Sequence, residues 1–303
     1  MQSSVDALMR DYSGDVPGAS VLVLRDGEPL LQRSYGQADL EAHVAATPRT
    51  NFRLASVTKQ FTAAAILLLA EDGKLSLDDP LRKWLPSLPA ATDPITLRQV
   101  LSHASGLVDY EDVMAPDATE QVHDIDVLHL LETQDRLYFA PGTDYRYSNS
   151  GYALLALVVG KASGKDFATF LRDRIFQPLG MAHTVAYEEG ISTVADRAYG
   201  YSLVDGRWTR TDQSSTSAVL GDASRKLAFS PQVQVTGEPY QAGYGFGWRI
   251  TGDTLWHSGE TIGFRNVIVR WPQRHLTVVL LSNRNDPEPY RTALAIGQLF
   301  LDR

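Results

Sequence analysis

The sequence predicts an α/β plus all-α fold: a mainly antiparallel sheet flanked by terminal helices, with a helical domain inserted into it. Three observations carry that expectation. Two short apolar segments, Ala19–Leu24 and Pro29–Tyr35, surround Arg25-Asp26-Gly27-Glu28, and Asp-Gly in such a setting is the strongest short-range hairpin signal. After Tyr244 the apolar pattern again reads as strands, over Tyr244–Ile250, Thr254–Ser258, Phe264–Trp271 and His275–Ser282. Between these groups the pattern is mostly helical, from Leu77 to about Arg197, while Val5–Tyr12 and Pro289–Phe300 read as helices near the two ends. Strands from both ends then form one sheet, with the helical stretch as an insertion. The expected division is residues 1–55 and 205–303 for the sheet domain and 56–204 for the mainly helical domain.

The helical domain opens with the most informative stretch, Leu54 to Gly73. Ala63–Ala70 is an unbroken apolar run of strong helix formers closed by Asp72-Gly73, so this helix is expected to be buried on every side. Its first turn nevertheless carries Ser56 and Lys59, which a helix places on one face, one turn apart. A lysine buried beside a core helix must be paired or lose its proton, and a neutral lysine next to a hydroxyl is a general base beside a nucleophile. The plainer alternative is that Ser56 caps the helix and Lys59 snorkels to solvent. Further helices are expected over Leu97–Ser102, Asp124–Thr133, Tyr152–Ala162 and Phe167–Ile175.

Composition narrows the function. The 303 residues are 44% apolar and 21% charged, with net charge -8 and no basic tract, which argues against nucleic acid or an anionic membrane as partner. The longest apolar runs fall far short of a membrane span. Residues 1–15 lack the apolar core of a signal peptide, leaving either a cytoplasmic protein or a mature periplasmic or secreted form. The absence of cysteine removes disulfides, thiolate metal sites and a Cys nucleophile together. His103, His123 and His129 show no metal-ligand spacing, no G-x-S-x-G or H-E-x-x-H occurs, and no cofactor is implied.

Two other stretches stand out. Pro141–Gly151 is a loop running into the helix at Tyr152, where Ser148, Asn149 or Ser150 can cap, Tyr147 can relay a proton and Asn149 can donate to a carbonyl. Trp256-His257-Ser258-Gly259 lies at the end of a predicted strand, where glycine permits close approach of a ligand.

Taken in order, Ser56-Val57-Thr58-Lys59, Tyr147-Ser148-Asn149 and His257-Ser258-Gly259 resemble the three motifs of the active-site-serine penicillin-recognising superfamily. The chain is most similar to its class C β-lactamase branch, which also holds D-Ala-D-Ala carboxypeptidases, D-amino-acid peptidases and small-ester esterases. Supporting stretches are Phe52–Phe61, Leu101–Leu107, Tyr147–Tyr152, Tyr244–Trp248 and Gly259–Arg270. The resemblance implies acyl transfer through a covalent serine intermediate, in a cleft between the two domains. It implies Ser56 as nucleophile, Lys59 as its base and Tyr147 as the group returning a proton to the leaving group. The backbone N–H groups of Ser56 and Glu260 would form the oxyanion hole, Asn149 would orient the acyl side, and His257, Ser258 and Gly259 would line the substrate.

Two departures bear on the substrate. Class C β-lactamases have lysine where this chain has His257, and histidine carries less positive charge at neutral pH with which to attract a β-lactam carboxylate. This favours esters or D-amino-acid amides and peptides, with β-lactam turnover or arrested acylation as alternatives; Arg265 on the next strand is either a replacement charge or an ordinary surface-facing residue. Secondly, Asp222–Lys226 runs almost at once into Leu227–Pro231, where the family usually continues through two glycines and a helix. That reads as a deletion lowering one wall of the cleft, or as an omitted segment. The implied partner is a small ester, amide or β-lactam, and oligomeric state is not legible.

Overall fold

The fold is described from a computed structural model over residues 2–115, 122–188, 191–212, 232–235 and 243–302. The shortened 222–231 segment lies outside the described residues. In chain order the helices are α1 (Gln2–Leu8), α2 (Lys59–Glu71), α3 (Leu81–Trp84), α4 (Leu97–Leu101), α5 (Asp124–Leu131), α6 (Asn149–Ser163), α7 (Phe167–Leu171) and α8 (Tyr290–Leu301). The strands are β1 (Ala19–Arg25), β2 (Glu28–Tyr35), β3 (Gln37–Asp39), β4 (Val44–Ala45), β5 (Tyr201–Val204), β6 (Arg207–Arg210), β7 (Val233–Gln234), β8 (Gly243–Tyr244), β9 (Arg249–Thr251), β10 (Thr254–Thr261), β11 (Phe264–Trp271) and β12 (Leu276–Ser282).

The chain packs as two compact units. The first comprises Met1–Thr58, Met181–Ser217 and Thr251–Arg303; the second comprises Lys59–Gly180 and Ala218–Ile250. The boundaries expected from sequence, at 55/56 and 204/205, thus fall differently. Residues 198–212 go with the first unit because their backbone is bonded there. The Ala198 N–H donates to the Asn51 carbonyl, Tyr199 to Ala38 and Tyr201 to Asn283, while Ala198 packs with Ala38, Ala46 and Phe264.

Within the first unit the sheet runs β2-β1-β12-β11-β10, every pair antiparallel. The expected first hairpin forms, and Asp26 and Gly27 both take positive φ, the combination that lets a two-residue turn follow the strand twist. One face of the sheet carries Val21, Val23, Val267, Val269, Val278 and Leu280. Both terminal segments cover it: Val5, Met9 and Tyr12 from one end, and Tyr290, Ala293, Ile296 and Phe300 from α8 at helical spacing. Each Val, Leu, Ile, Met or Phe side chain among them gains about 1.5–3 kcal/mol on leaving water.

The expected strand Tyr244–Ile250 is not one strand. It folds into the antiparallel pair β8 and β9 around a turn in which the Gly245 N–H donates to the Trp248 carbonyl. Gly247 takes φ +76, and a Cβ there would stand 2.8 Å from the Gln60 Cα, so the turn requires glycine for both conformation and space. The strand expected to end at Ser258 runs on to Thr261, so the His257-Ser258-Gly259 motif sits inside a strand, not at its end. The hairpin turn comes later, at Ile262-Gly263.

In the second unit α2 is buried along nearly its whole length and packs against α6 and α7, with Phe61 edge-on to Phe176. The helix expected from Tyr152 starts three residues earlier, at Asn149, because Ser148 caps it: the Ser148 hydroxyl accepts the Gly151 N–H at 3.0 Å. Among the described residues no helix is long and apolar enough to cross a membrane.

Candidate active site

Ser56 lies in a short 3₁₀ turn, Ala55–Thr58, that continues without a break into α2 at Lys59. The turn is preset by its first residue. Ala55 takes φ 49, a left-handed conformation that costs a non-glycine residue about 1–2 kcal/mol and is held only where surrounding structure imposes it. In the first unit the surrounding structure is β10. Gly259 lies so close to the turn that a Cβ would collide with the Leu54 carbonyl oxygen and press on Val57 Cγ2. Asn266, opposite Gly259 in the β10–β11 register, donates to the Arg53 carbonyl at 2.9 Å and ties the segment before Ser56 to the sheet.

The other third-motif residues separate by strand parity. His257 and Gly259 share one face of β10, while Ser258 and Glu260 share the face of Trp256. His257 is fully buried, and its Nδ1 lies 2.6 Å from the Ser258 carbonyl oxygen; a carbonyl only accepts, so Nδ1 carries the proton. Glu260 is exposed and pairs across the strands with Arg265, Nε to Oε2 3.6 Å, while the Arg265 guanidinium also donates to the Thr261 and Phe264 carbonyls. Arg265 thus pairs with Glu260 and with the backbone of its own hairpin.

In the second unit Lys59, Tyr147 and Asn149 come together. Lys59 is 7% exposed, and its Nζ donates to Asn149 Oδ1 at 2.6 Å and stands 4.7 Å from the centre of the Tyr147 ring. The other end of the Asn149 amide donates to Glu111 Oε1 at 3.0 Å, which fixes its orientation, since a carboxylate offers only acceptors. Asp109, nearly buried, accepts the Asn149 N–H at 2.7 Å and the Ser150 N–H at 3.2 Å. An anion thus sits on the N-terminus of α6, where the helix dipole favours it.

Burial pushes the Lys59 pKa down from 10.5 to about 7; Asp109 and Glu111 oppose the shift and the Arg249 cation adds to it. With half of the lysine present as the neutral amine near pH 7, that amine can take a proton from a neighbouring hydroxyl, which an ordinary, fully protonated lysine cannot. The phenols of Tyr152 and Tyr244 are driven the other way by burial, well above 10, and Tyr152 donates to the Leu101 carbonyl at 2.7 Å. They stay protonated and serve as packing, whereas Tyr147 is half-buried and lies beside the lysine.

Sequence reasoning missed Asp109, Glu111 and Arg249. The two acids follow Leu107 in a stretch without a motif. Arg249, whose guanidinium lies 5.5 Å from the centre of the Tyr147 ring, was hidden in what read as a single strand. The two glycines at 245 and 247 were the available signal that this run bends.

The sequence profile of the Beta-lactamase family matches residues 5–302. Penicillin-binding protein 4* of Bacillus subtilis (strain 168) is 31% identical over 319 residues, covering 91% of this chain and 70% of that protein. Protein flp of Staphylococcus aureus (strain MW2) is 28% identical across 94% of this chain, which spans 63% of the length of flp. Among solved structures, the penicillin-binding protein from Bacillus halodurans superposes with TM-score 0.84 at 26% identity, covering 99% of this chain and 100% of that one. The D-amino acid amidase from Ochrobactrum anthropi SV3 shares the fold, with TM-score 0.83 at 21% identity over 100% of this chain and 98% of that one. A family match across nearly the whole sequence, joined to this fold and these motifs, has one conclusion: the chain belongs to the beta-lactamase family.

Proposed function

We propose that the protein is a serine hydrolase working through a covalent acyl-enzyme on small esters or D-amino-acid amides and peptides. The observation that carries this reading is Lys59: buried, half neutral near pH 7, and three residues after Ser56 on one continuous helical segment. In the proposed cycle Ser56 Oγ attacks the substrate carbonyl carbon while its proton passes to Lys59 Nζ. The carbonyl oxygen takes the electron pair and is met by the backbone N–H groups of Ser56 and Glu260. As the tetrahedral centre collapses, the bond to the leaving alcohol or amine breaks, and that group takes a proton by way of Tyr147. Water then attacks the ester carbonyl, gives up a proton through the same groups and frees Ser56. Asn149 holds Lys59 in place through its amide oxygen; its amide nitrogen gives one N–H to Glu111 and has a second N–H with which to meet a substrate carbonyl.

A side-by-side turnover assay with a short-chain p-nitrophenyl ester and a chromogenic cephalosporin tests the proposal. Sustained ester hydrolysis, abolished in Ser56→Ala without loss of fold, is the expected result. Residual turnover above a few per cent in that variant would sink the assignment to Ser56. A single burst that stops would identify a penicillin-binding protein that acylates without turnover.

A second reading, a substrate bearing a carboxylate, is favoured by Arg249. Its guanidinium lies 5.5 Å from the centre of the Tyr147 ring and offers a positive charge to a substrate carboxylate there. On that reading Arg249→Gln raises KM for the anionic cephalosporin or a peptide with a free C-terminus and leaves KM for the neutral ester unchanged. An equal effect on both substrates would remove it.

A further inference from the structure

We infer that His103 is the positioning residue for Tyr147, an inference that rests on the catalytic reading of Tyr147 above. His103 is 1% exposed and belongs to Ser102-His103-Ala104-Ser105-Gly106, directly after α4. Its backbone takes φ 58, the left-handed region, which turns the residue back toward the loop before α6.

Two hydrogen bonds then hold that loop on either side of Tyr147. The His103 carbonyl accepts the Arg146 N–H at 3.0 Å, and His103 Nδ1 accepts the Ser148 N–H at 3.1 Å. The imidazole also lies against the Tyr147 ring, centres 4.4 Å apart and planes tilted by 38°. One residue therefore fixes the amides before and after Tyr147 and covers one side of its phenol, while Lys59 Nζ stands over that ring. Because an amide N–H only donates, Nδ1 is the bare nitrogen, and the ring is held as the neutral tautomer with its proton on Nε2. Tyr244 at 4.6 Å and Tyr152 at 5.1 Å pack around the imidazole and restrict its rotation. A core histidine that only filled space would not need its acceptor nitrogen aimed at the one amide following the candidate proton relay.

The test is a double-mutant cycle read as kcat and KM on p-nitrophenyl acetate, with thermal melting of each variant. His103→Phe keeps a ring but loses the acceptor; it is expected to lower kcat about 10²-fold, the scale of an ångström-level misplacement, with little change in KM. His103→Asn keeps an acceptor near the Nδ1 position and tolerates the left-handed backbone, so it recovers most of that loss. In a Tyr147→Phe background, His103→Phe costs less than about twofold, because residues that act through one group are not additive. An unimpaired His103→Phe, or losses that add in the double variant, would overturn the inference while leaving Tyr147 catalytic. An unimpaired Tyr147→Phe would overturn the reading of Tyr147 and the inference together. Should His103→Phe not fold, ¹⁵N NMR of the wild-type ring decides: a bare Nδ1 supports the inference, and a protonated Nδ1 overturns it.

Discussion

At the scale of single residues, Lys59 couples reactivity to stability. Its neutral form is the competent base, so the acylation rate is expected to rise as pH increases through about 7. Asp109→Asn removes an anion that holds the lysine pKa up, so that acid limb moves to lower pH; a limb that stays or rises would mean another group titrates. Stability has a definite sign as well. The folded pKa lies below the unfolded 10.5, so the folded state resists protonation. The burial penalty is complete below about pH 7 and fades as pH rises toward 10.5. At roughly 1.4 kcal/mol per pKa unit this amounts to several kcal/mol at neutral pH. Lys59→Met removes that penalty and loses, among its partners, the hydrogen bond to Asn149, worth about 1 kcal/mol. The variant is therefore expected to be inactive yet to melt several degrees higher at pH 7, with its advantage shrinking by pH 10. A lower Tm at pH 7 would contradict this account of the lysine's surroundings.

At the scale of elements, what the sequence made legible was what neighbouring residues specify together. Asp26-Gly27 announced the β1–β2 turn, and the apolar run after Lys59 announced α2. Ser148 was among the expected caps of α6, and the three-residue spacing of Ser56 and Lys59 needed only a helical segment to become geometry. Asp109 and Glu111 could not be read this way, because they reach the start of α6 from some forty positions earlier in the chain. Arg249 was lost with the bend at Gly247, a local signal outweighed by apolar periodicity. Gly259 is the element-scale position most open to test. Adding a methyl group there forces β10 away from the turn that carries Ser56. Gly259→Ala is expected to destabilise by about 1–3 kcal/mol, as overpacking does, and to lower kcat/KM disproportionately. Unchanged melting and activity would show that turn and strand separate at no cost.

At the scale of the whole molecule, the candidate site draws on stretches far apart in the chain, and so does the core beneath the sheet. Val5 and Met9 meet Ile296 and Phe300 in one apolar cluster with the strands. Ending the chain at Pro289 would leave every candidate catalytic residue in place. It would also strip α8 from the sheet and expose Val267, Val269 and Val278 to water. Such a chain is expected to be insoluble or devoid of ester turnover, and Phe300→Ala alone to cost about 3–5 kcal/mol in denaturant melts. A soluble, active truncated protein would show that the sheet does not depend on its helical cover.

The pairing of β1 with β12, Ala19 opposite Ser282, also has a consequence for synthesis. The first hairpin leaves the ribosome early and closes on itself, but the other edge of β1 has no partner until β12 emerges. At 5–20 residues per second that wait lasts roughly 10–50 s. During it an apolar strand presents an open row of backbone donors and acceptors, the form in which strands recruit other strands. Soluble yield should therefore track how well this early hairpin is shielded by chaperones, and slower initiation, which spaces nascent chains apart, should raise it.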